Sequence, residues 1–224
     1  MKIHFVTEGS LNEYWDASPA ADCDLLFFGF NGLGDVDYAS ELSGETSKME
    51  DAAILSREVG CVVVSGCYTN SCGVRRKSAL VAERGRILGV SDMFSGIDES
   101  EYKSGGALKV YETAAGKIGL LIAEDLYFPE IPQMLSVGDA DVLLSVFGEI
   151  DDFIPQLMAR ADAFVSGVPV VMCAAGRAQA AAVTGEVSML SPKKECDFDL
   201  TTEREYHIFS QRRRGLCRRR RADF

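Results

Sequence analysis

The chain has 224 residues, 47% of them hydrophobic and 25% charged, with a net charge of −11; this suits one α/β domain with a full core and excludes a disordered or low-complexity chain. No apolar run reaches the roughly 18–20 residues of a membrane span, and the first residues lack a signal peptide's long apolar stretch, so a cytoplasmic protein off the membrane is expected. Seven cysteines without a CxxC pair, and two histidines without ligand spacing, exclude a zinc pattern and a disulfide framework; no metal or cofactor is expected, and the cysteines read as buried small hydrophobes.

In chain order, short runs rich in Val, Ile, Leu and Phe read as strands covered on both faces. Lys2–Val6 and Asp24–Phe28 come first. A helix over 46–59 follows, with Ala52, Leu55 and Val59 on one face and Gly60 as its stop. Cys61–Val64, Ser78–Val81 and Lys117–Ile122 are the next strands. A helix over 129–137 opens at Pro129, which suits a first turn, and stops before Gly138. Asp141–Phe147 is a strand. The helix over 152–166 then carries Ile154, Leu157, Met158, Ala161, Phe164 and Val165 on one stripe, expected to face the core, and ends at Gly167. Pro169–Met172 is the last strand of the series. Strands alternating with helices predict sheet packed between helices in one domain over 1–224, with 204–224 as a basic tail.

The most specific segment is Gly116-Lys117-Ile118-Gly119-Leu120-Leu121-Ile122-Ala123-Glu124-Asp125-Leu126-Tyr127-Phe128-Pro129-Glu130. It combines a turn, a buried strand, an acidic residue after the strand end, and Phe-Pro-Glu opening a helix. Gly138-Asp139-Ala140-Asp141-Val142-Leu143-Leu144 and Ala159-Arg160-Ala161 follow at suitable distances. Upstream lie Asp24-Leu25-Leu26-Phe27-Phe28, then Lys77-Ser78-Ala79, then Gly85-Arg86-Ile87-Leu88-Gly89. Downstream lie Gly185-Glu186-Val187-Ser188-Met189-Leu190-Ser191-Pro192 and the terminal Arg219-Arg220-Arg221-Ala222-Asp223-Phe224. Together these resemble the nitrilase superfamily of carbon–nitrogen hydrolases over the whole chain. The resemblance implies a four-layer α-β-β-α sandwich, a homodimer associated through helices, and chemistry at amides, nitriles or carbamoyl groups.

That chemistry uses Glu, Lys and Cys. A thiolate attacks the carbon of the C–N bond, a carboxylate takes the thiol proton and later activates water, and a lysine stabilises the oxyanion. Carried over residue by residue, the nucleophile's position after Ile122 is Ala123, the base's position after Phe28 and Gly29 is Phe30, and the lysine's position is Met93. An engineered Cys→Ala exchange would explain Ala123 alone; three losses together point to natural decay of the site. A second glutamate falls at Glu101 by a loose alignment. Glu101, Glu124, Asp125, Tyr127 and Phe147 are the candidate remnant pocket, with Asp125 read as a helix-start carboxylate.

The resemblance therefore implies a catalytically silent homologue that keeps a scaffold or binding role, with a small amide or carboxylate as candidate ligand. The alternative is an active amidase-type hydrolase with relocated groups, for which Cys67 and Cys173, at strand ends, are the thiols to test. Apolar groups at 30 and 93 remove two charges that are costly to bury alone, which predicts a smaller, drier pocket at Ala123 than in active relatives. Residues 204–224 carry eight arginines and two acids, leaving 15 basic and 32 acidic side chains on residues 1–203, a balance of −17. An acidic body argues against nucleic-acid binding. The tail, Arg212–Arg214 and Arg218–Arg221, is expected to fold against acidic surface of its own or a partner subunit; a polybasic nucleic-acid or membrane patch is the other reading.

Overall fold

The computed structural model describes residues 1–17 and 22–204. Two sheets form face to face. The first is built from β1 (Lys2–Val6), β2 (Leu25–Phe28), β3 (Gly34–Asp37), β4 (Val62–Ser71), β5 (Val74–Glu83) and β6 (Arg86–Asp92), closed by β13 (Glu195–Asp199) in the order β13-β1-β2-β4-β5-β6, with β3 added beside β4. The second is β7 (Val110–Thr113), β8 (Gly116–Ile122), β9 (Val142–Val146), β10 (Val170–Ala174), β11 (Arg177–Ala181) and β12 (Val187–Ser191), paired in the reverse of that order. Parallel pairs occupy each centre: β1 with β2, β2 with β4, β8 with β9, β9 with β10. The side chains of β2, β9 and β10 are buried on both faces, which is why these strands are nearly continuous apolar runs.

Three buried clusters define the layers. Between the sheets, Ile3, Phe5, Leu25, Phe27, Val62 and Val64 meet Ile118, Leu120, Val142, Leu144, Val171 and Ala178. Outside the first sheet, α1 (Leu11–Asp16) and α3 (Lys48–Glu58) cover Val6, Leu26, Phe28 and Val63. Between β3 and α3 sits the short α2 (Tyr38–Ser43), which buries none of its residues. Outside the second sheet, α4 (Glu130–Val137) and α5 (Ile154–Ser166) cover Leu121, Leu143, Val170 and Met172. This is the α-β-β-α sandwich expected above. Among the described residues no helix is long and apolar enough to cross a membrane.

The helix stops are where glycine was read. Gly60 has φ +71° and Gly167 +67°, and Gly138 caps α4. The face of α5 is a correction. Pro155, Ala159, Asp162, Ala163 and Ser166 are its buried residues, whereas Ile154, Leu157 and Phe164 are 43%, 47% and 42% exposed. Small side chains let the helix lie close on the sheet; Met158 of the stripe still packs against the core, while Ile154, Leu157 and Phe164 are turned outward. The hairpin of β4 and β5 is also longer than expected, ten residues on each side. Its outer half carries Tyr68, Thr69, Asn70, Arg75 and Arg76, which break the apolar pattern used to find strands. The basic tail's residues 205–224 lie outside the described residues.

Candidate functional site

At the end of β8 the chain turns sharply into a 3-10 turn over Ala123–Tyr127. Ala123, the first residue of that turn, has φ +50°. A left-handed backbone at a residue with a Cβ costs roughly 1–2 kcal/mol, so the surroundings must hold it. The Asp125 carboxylate does so. Its Oδ2 accepts the N–H of Ile122 (3.1 Å), and its Oδ1 accepts those of Phe94 and Ser95, both at 2.8 Å. One buried side chain thus fastens the turn to the segment that follows β6. Burial pushes its pKa up to about 6, against the three N–H donors that pull it down. Asp125 is a capping carboxylate, as read from sequence, and it also joins two loops.

Phe30 and Met93 reach the same region from the first sheet. Phe30 follows β2, is 4% exposed, and stacks on Tyr68 of β4 with ring centroids 4.8 Å apart at 16°. A Cβ on Gly66 of β4 would lie 2.9 Å from the Phe30 Cα, so only glycine lets the strand pass there. Met93, 1% exposed, follows β6; its N–H donates to the Lys77 carbonyl (2.8 Å) and its own carbonyl accepts from Gly105. Phe30, Met93 and Ala123 belong to one buried cluster.

A cavity opens beside Ala123. It measures about 530 Å³ and is lined by Phe30, Tyr68, Lys77, Ala123, Glu124 and Tyr127, with Ile97, Asp98, Phe147, Gly148 and Glu149 completing the wall. Phe30 and Met93 pack into the buried cluster between the sheets, and Phe30 also forms part of this wall. Tyr127 and Phe147 meet edge to face at 6.0 Å. Of the remnant-pocket candidates, Glu124, Tyr127 and Phe147 line the cavity, and Asp125 is buried behind it. Glu101 does not join them. It is held outside by Arg75 Nη1 at 2.7 Å, and Arg75 also donates to the Tyr102 hydroxyl.

The residue that sequence reading passed over is Lys77. Its Nζ lies 2.5 Å from Glu124 Oε1, with both side chains about a fifth exposed, and 5.4 Å from the Tyr102 ring. Lys77 pairs across the hairpin with Tyr68 and is in phase with Ala79 and Val81, whose side chains enter the inter-sheet core. That period of two was the available signal. Glu124 Oε2 is buried and has no hydrogen-bond partner among the described residues. With Asp98 and Glu149, the wall holds three carboxylates against one ammonium. The charges of Glu124 and Glu149 are felt at Tyr68, whose pKa rises through burial and, with them, through Asp35 and Glu101.

Neither candidate relocated thiol reaches this space. Cys67 is buried on the helix side of the first sheet, and burial pushes its pKa up to about 12. Cys173 points between the sheets toward the carbonyls of Val6 and Phe27, and burial likewise pushes its pKa up. Both sites favour the neutral thiol, which is a poor nucleophile. Among the described residues no group of His, Cys, Asp and Glu is arranged to hold a metal ion.

A family model for carbon–nitrogen hydrolases matches residues 35–191. No curated protein matches the sequence. Among solved structures, an amidase from Nesterenkonia sp. superposes with a TM-score of 0.76 at 16% identity, covering 95% of this chain and 93% of that one. An alanine-for-cysteine mutant of the Nesterenkonia AN1 amidase, from the nitrilase superfamily, gives 0.72 at 17% identity, with 88% of each chain covered. The alanine-for-cysteine mutant of this amidase in complex with butyramide gives 0.72 at 16% identity, again with 88% of each chain covered. At these identities the likeness is one of fold.

Proposed function

We propose that this chain, which belongs to the carbon–nitrogen hydrolase family, is a catalytically silent member that keeps the cleft beside residue 123 as a binding site for a small uncharged amide. The observation that carries this reading is Ala123 itself. The strained turn that would present a nucleophile is maintained by Asp125, yet it presents a methyl group. A methyl cannot form the thioester-type intermediate, and Phe30 and Met93 provide neither a proton acceptor nor a cation. The cavity of about 530 Å³ has room for a small molecule. Three carboxylates to one lysine disfavour a free carboxylate ligand. The butyramide complex of the alanine-for-cysteine Nesterenkonia mutant supports the idea that such a cleft holds an amide without its cysteine.

Calorimetry with butyramide and related amides, run beside an assay of ammonia release from amides, nitriles and N-carbamoyl compounds, tests the proposal. Saturable binding with no release above buffer is the expected pair of results. Turnover that is lost on changing Lys77 or Glu124 would replace this reading with the second one. In that reading, favoured by the Lys77–Glu124 pair, Glu124 activates a water and Lys77 faces the oxyanion.

Homodimerisation belongs to the same proposal. The outward faces of α4 and α5 expose Met134, Val137, Ile154 and Leu157, and an apolar stripe of this kind suits burial against its own copy. Sedimentation of the protein and of a Leu157→Asp variant checks it, a dimer that the substitution splits being the expected result. A cytoplasmic location is supported by the six free cysteines among the described residues.

A further inference from the structure

Cys23 and Cys61 lie 38 residues apart in sequence, yet their sulfurs are 3.7 Å apart. The reason is topological. Cys23 precedes β2 and Cys61 precedes β4, and these strands are parallel neighbours in which Leu25 stands beside Val62. The backbone ladder extends to the cysteines, since the Val62 N–H donates to the Asp24 carbonyl at 3.0 Å. Cys23 and Cys61 are thus offset by one residue across adjacent strands. Strand spacing and rise place their Cα atoms about 6 Å apart, inside the range a disulfide spans. Both belong to the cluster on the helix side of the sheet, Cys61 buried and Cys23 half-buried at its edge. A cleft of about 120 Å³, lined by Cys23, Cys61, Asp24, Gly60, Glu83 and Arg84, opens onto the pair.

We propose that Cys23 and Cys61 form a redox-responsive dithiol that closes to an intramolecular disulfide when the chain meets a low-molecular-weight disulfide such as oxidised glutathione. The Cys23 sulfur attacks one sulfur of the oxidant, giving a mixed disulfide and releasing one thiol. Cys61, its proton lost to solvent, then attacks the Cys23 sulfur and releases the second thiol. The protein gives up two protons and two electrons, and the oxidant's S–S bond takes them up as two thiols. The order of attack follows from access, since Cys23 is the more exposed. The closed ring would pin the starts of β2 and β4, the strands that lead to Phe30 and Tyr68 in the cavity wall.

The full chain equilibrated in glutathione buffers of increasing oxidation, quenched by alkylation and mapped without reduction, tests this. The expected result is a mass lower by two hydrogens, a peptide pair joined through Cys23 and Cys61, and a Tm raised by roughly 5–10 °C. Cys23→Ser and Cys61→Ser should each abolish the pair and the Tm shift. Cys23 is half-buried, so its variant stays folded if the more buried one does not. Unchanged mass across the series would overturn the proposal, and so would a disulfide that maps instead to Cys72, Cys196 or Cys217.

Discussion

Lys77 Nζ lies 2.5 Å from Glu124 Oε1, so the one ammonium in the wall of the cavity is committed to the carboxylate that directly follows Ala123. The pair joins the two sheets, β5 on one side and the turn after β8 on the other. Both side chains are mostly shielded, so screening is weaker than at an open surface. Lys77→Met is expected to cost about 1–2 kcal/mol by leaving Glu124 uncompensated. Lys77→Met with Glu124→Gln should cost less than the sum of the single changes. A double-mutant cycle from urea unfolding measures the coupling; strict additivity would show that the pair contributes nothing.

The left-handed turn at Ala123 makes glycine the better residue there. Ala→Gly in an ordinary strand costs about 0.5–1 kcal/mol. At φ +50° relief of strain offsets that cost, so Ala123→Gly is expected to be neutral or to stabilise by up to about 1 kcal/mol. Denaturant midpoints of the two proteins decide it. A loss above about 1 kcal/mol would mean that the methyl's packing outweighs the strain.

Removing the Asp125 carboxylate strands three N–H groups, a buried one at Ile122 and part-buried ones at Phe94 and Ser95. Asp125→Ala should destabilise the fold by about 2–4 kcal/mol. It should also weaken amide binding in whatever folded fraction remains, because the turn is no longer tied to the segment after β6. Calorimetry on the folded variant at low temperature separates the two effects, and undiminished affinity would show that the tie is only structural.

Asp162 on α5 gives a pH signature. It is buried against the second sheet, its Oδ2 has no hydrogen-bond partner among the described residues, and burial pushes its pKa up to about 7. Asp125 shifts in the same direction, to about 6. Between the ordinary value of 3.8 and these raised values the folded chain holds protons that the unfolded chain has released. Stability therefore falls as pH rises from about 4 to 7 and levels off above. Asp139, with its pKa lowered to about 2 by Lys117 and Arg204, acts in the opposite sense but below that window. Asp162→Asn should flatten much of the slope and raise stability at pH 8 by roughly 1–3 kcal/mol. Unfolding free energies at pH 5 and pH 8 check this, and an equally steep variant would place the slope elsewhere.

Sequence alone determined the layers and placed Phe30, Met93 and Ala123 just beyond the ends of three strands. Strands such as Leu25–Phe28 and Val142–Val146 are buried on both faces because helices cover them, and a local pattern records that. Phe30, Met93 and Ala123 follow strand ends whose flanking residues are distinctive, so they were legible without coordinates. Tertiary structure alone decided what surrounds them. The match at Lys77 was read as part of a hairpin, and only the packing of the two sheets brings its amine to Glu124. The outward stripe of α5 was equally hidden, since periodicity gives a helix an apolar face without saying which face meets the sheet; there the small Ala159 and Ala163 won through closeness of approach. The Cys23–Cys61 contact depends on a parallel pairing between segments 38 residues apart. Local propensity and period reach only a few residues along the chain, whereas each of these juxtapositions is set by which strands become neighbours.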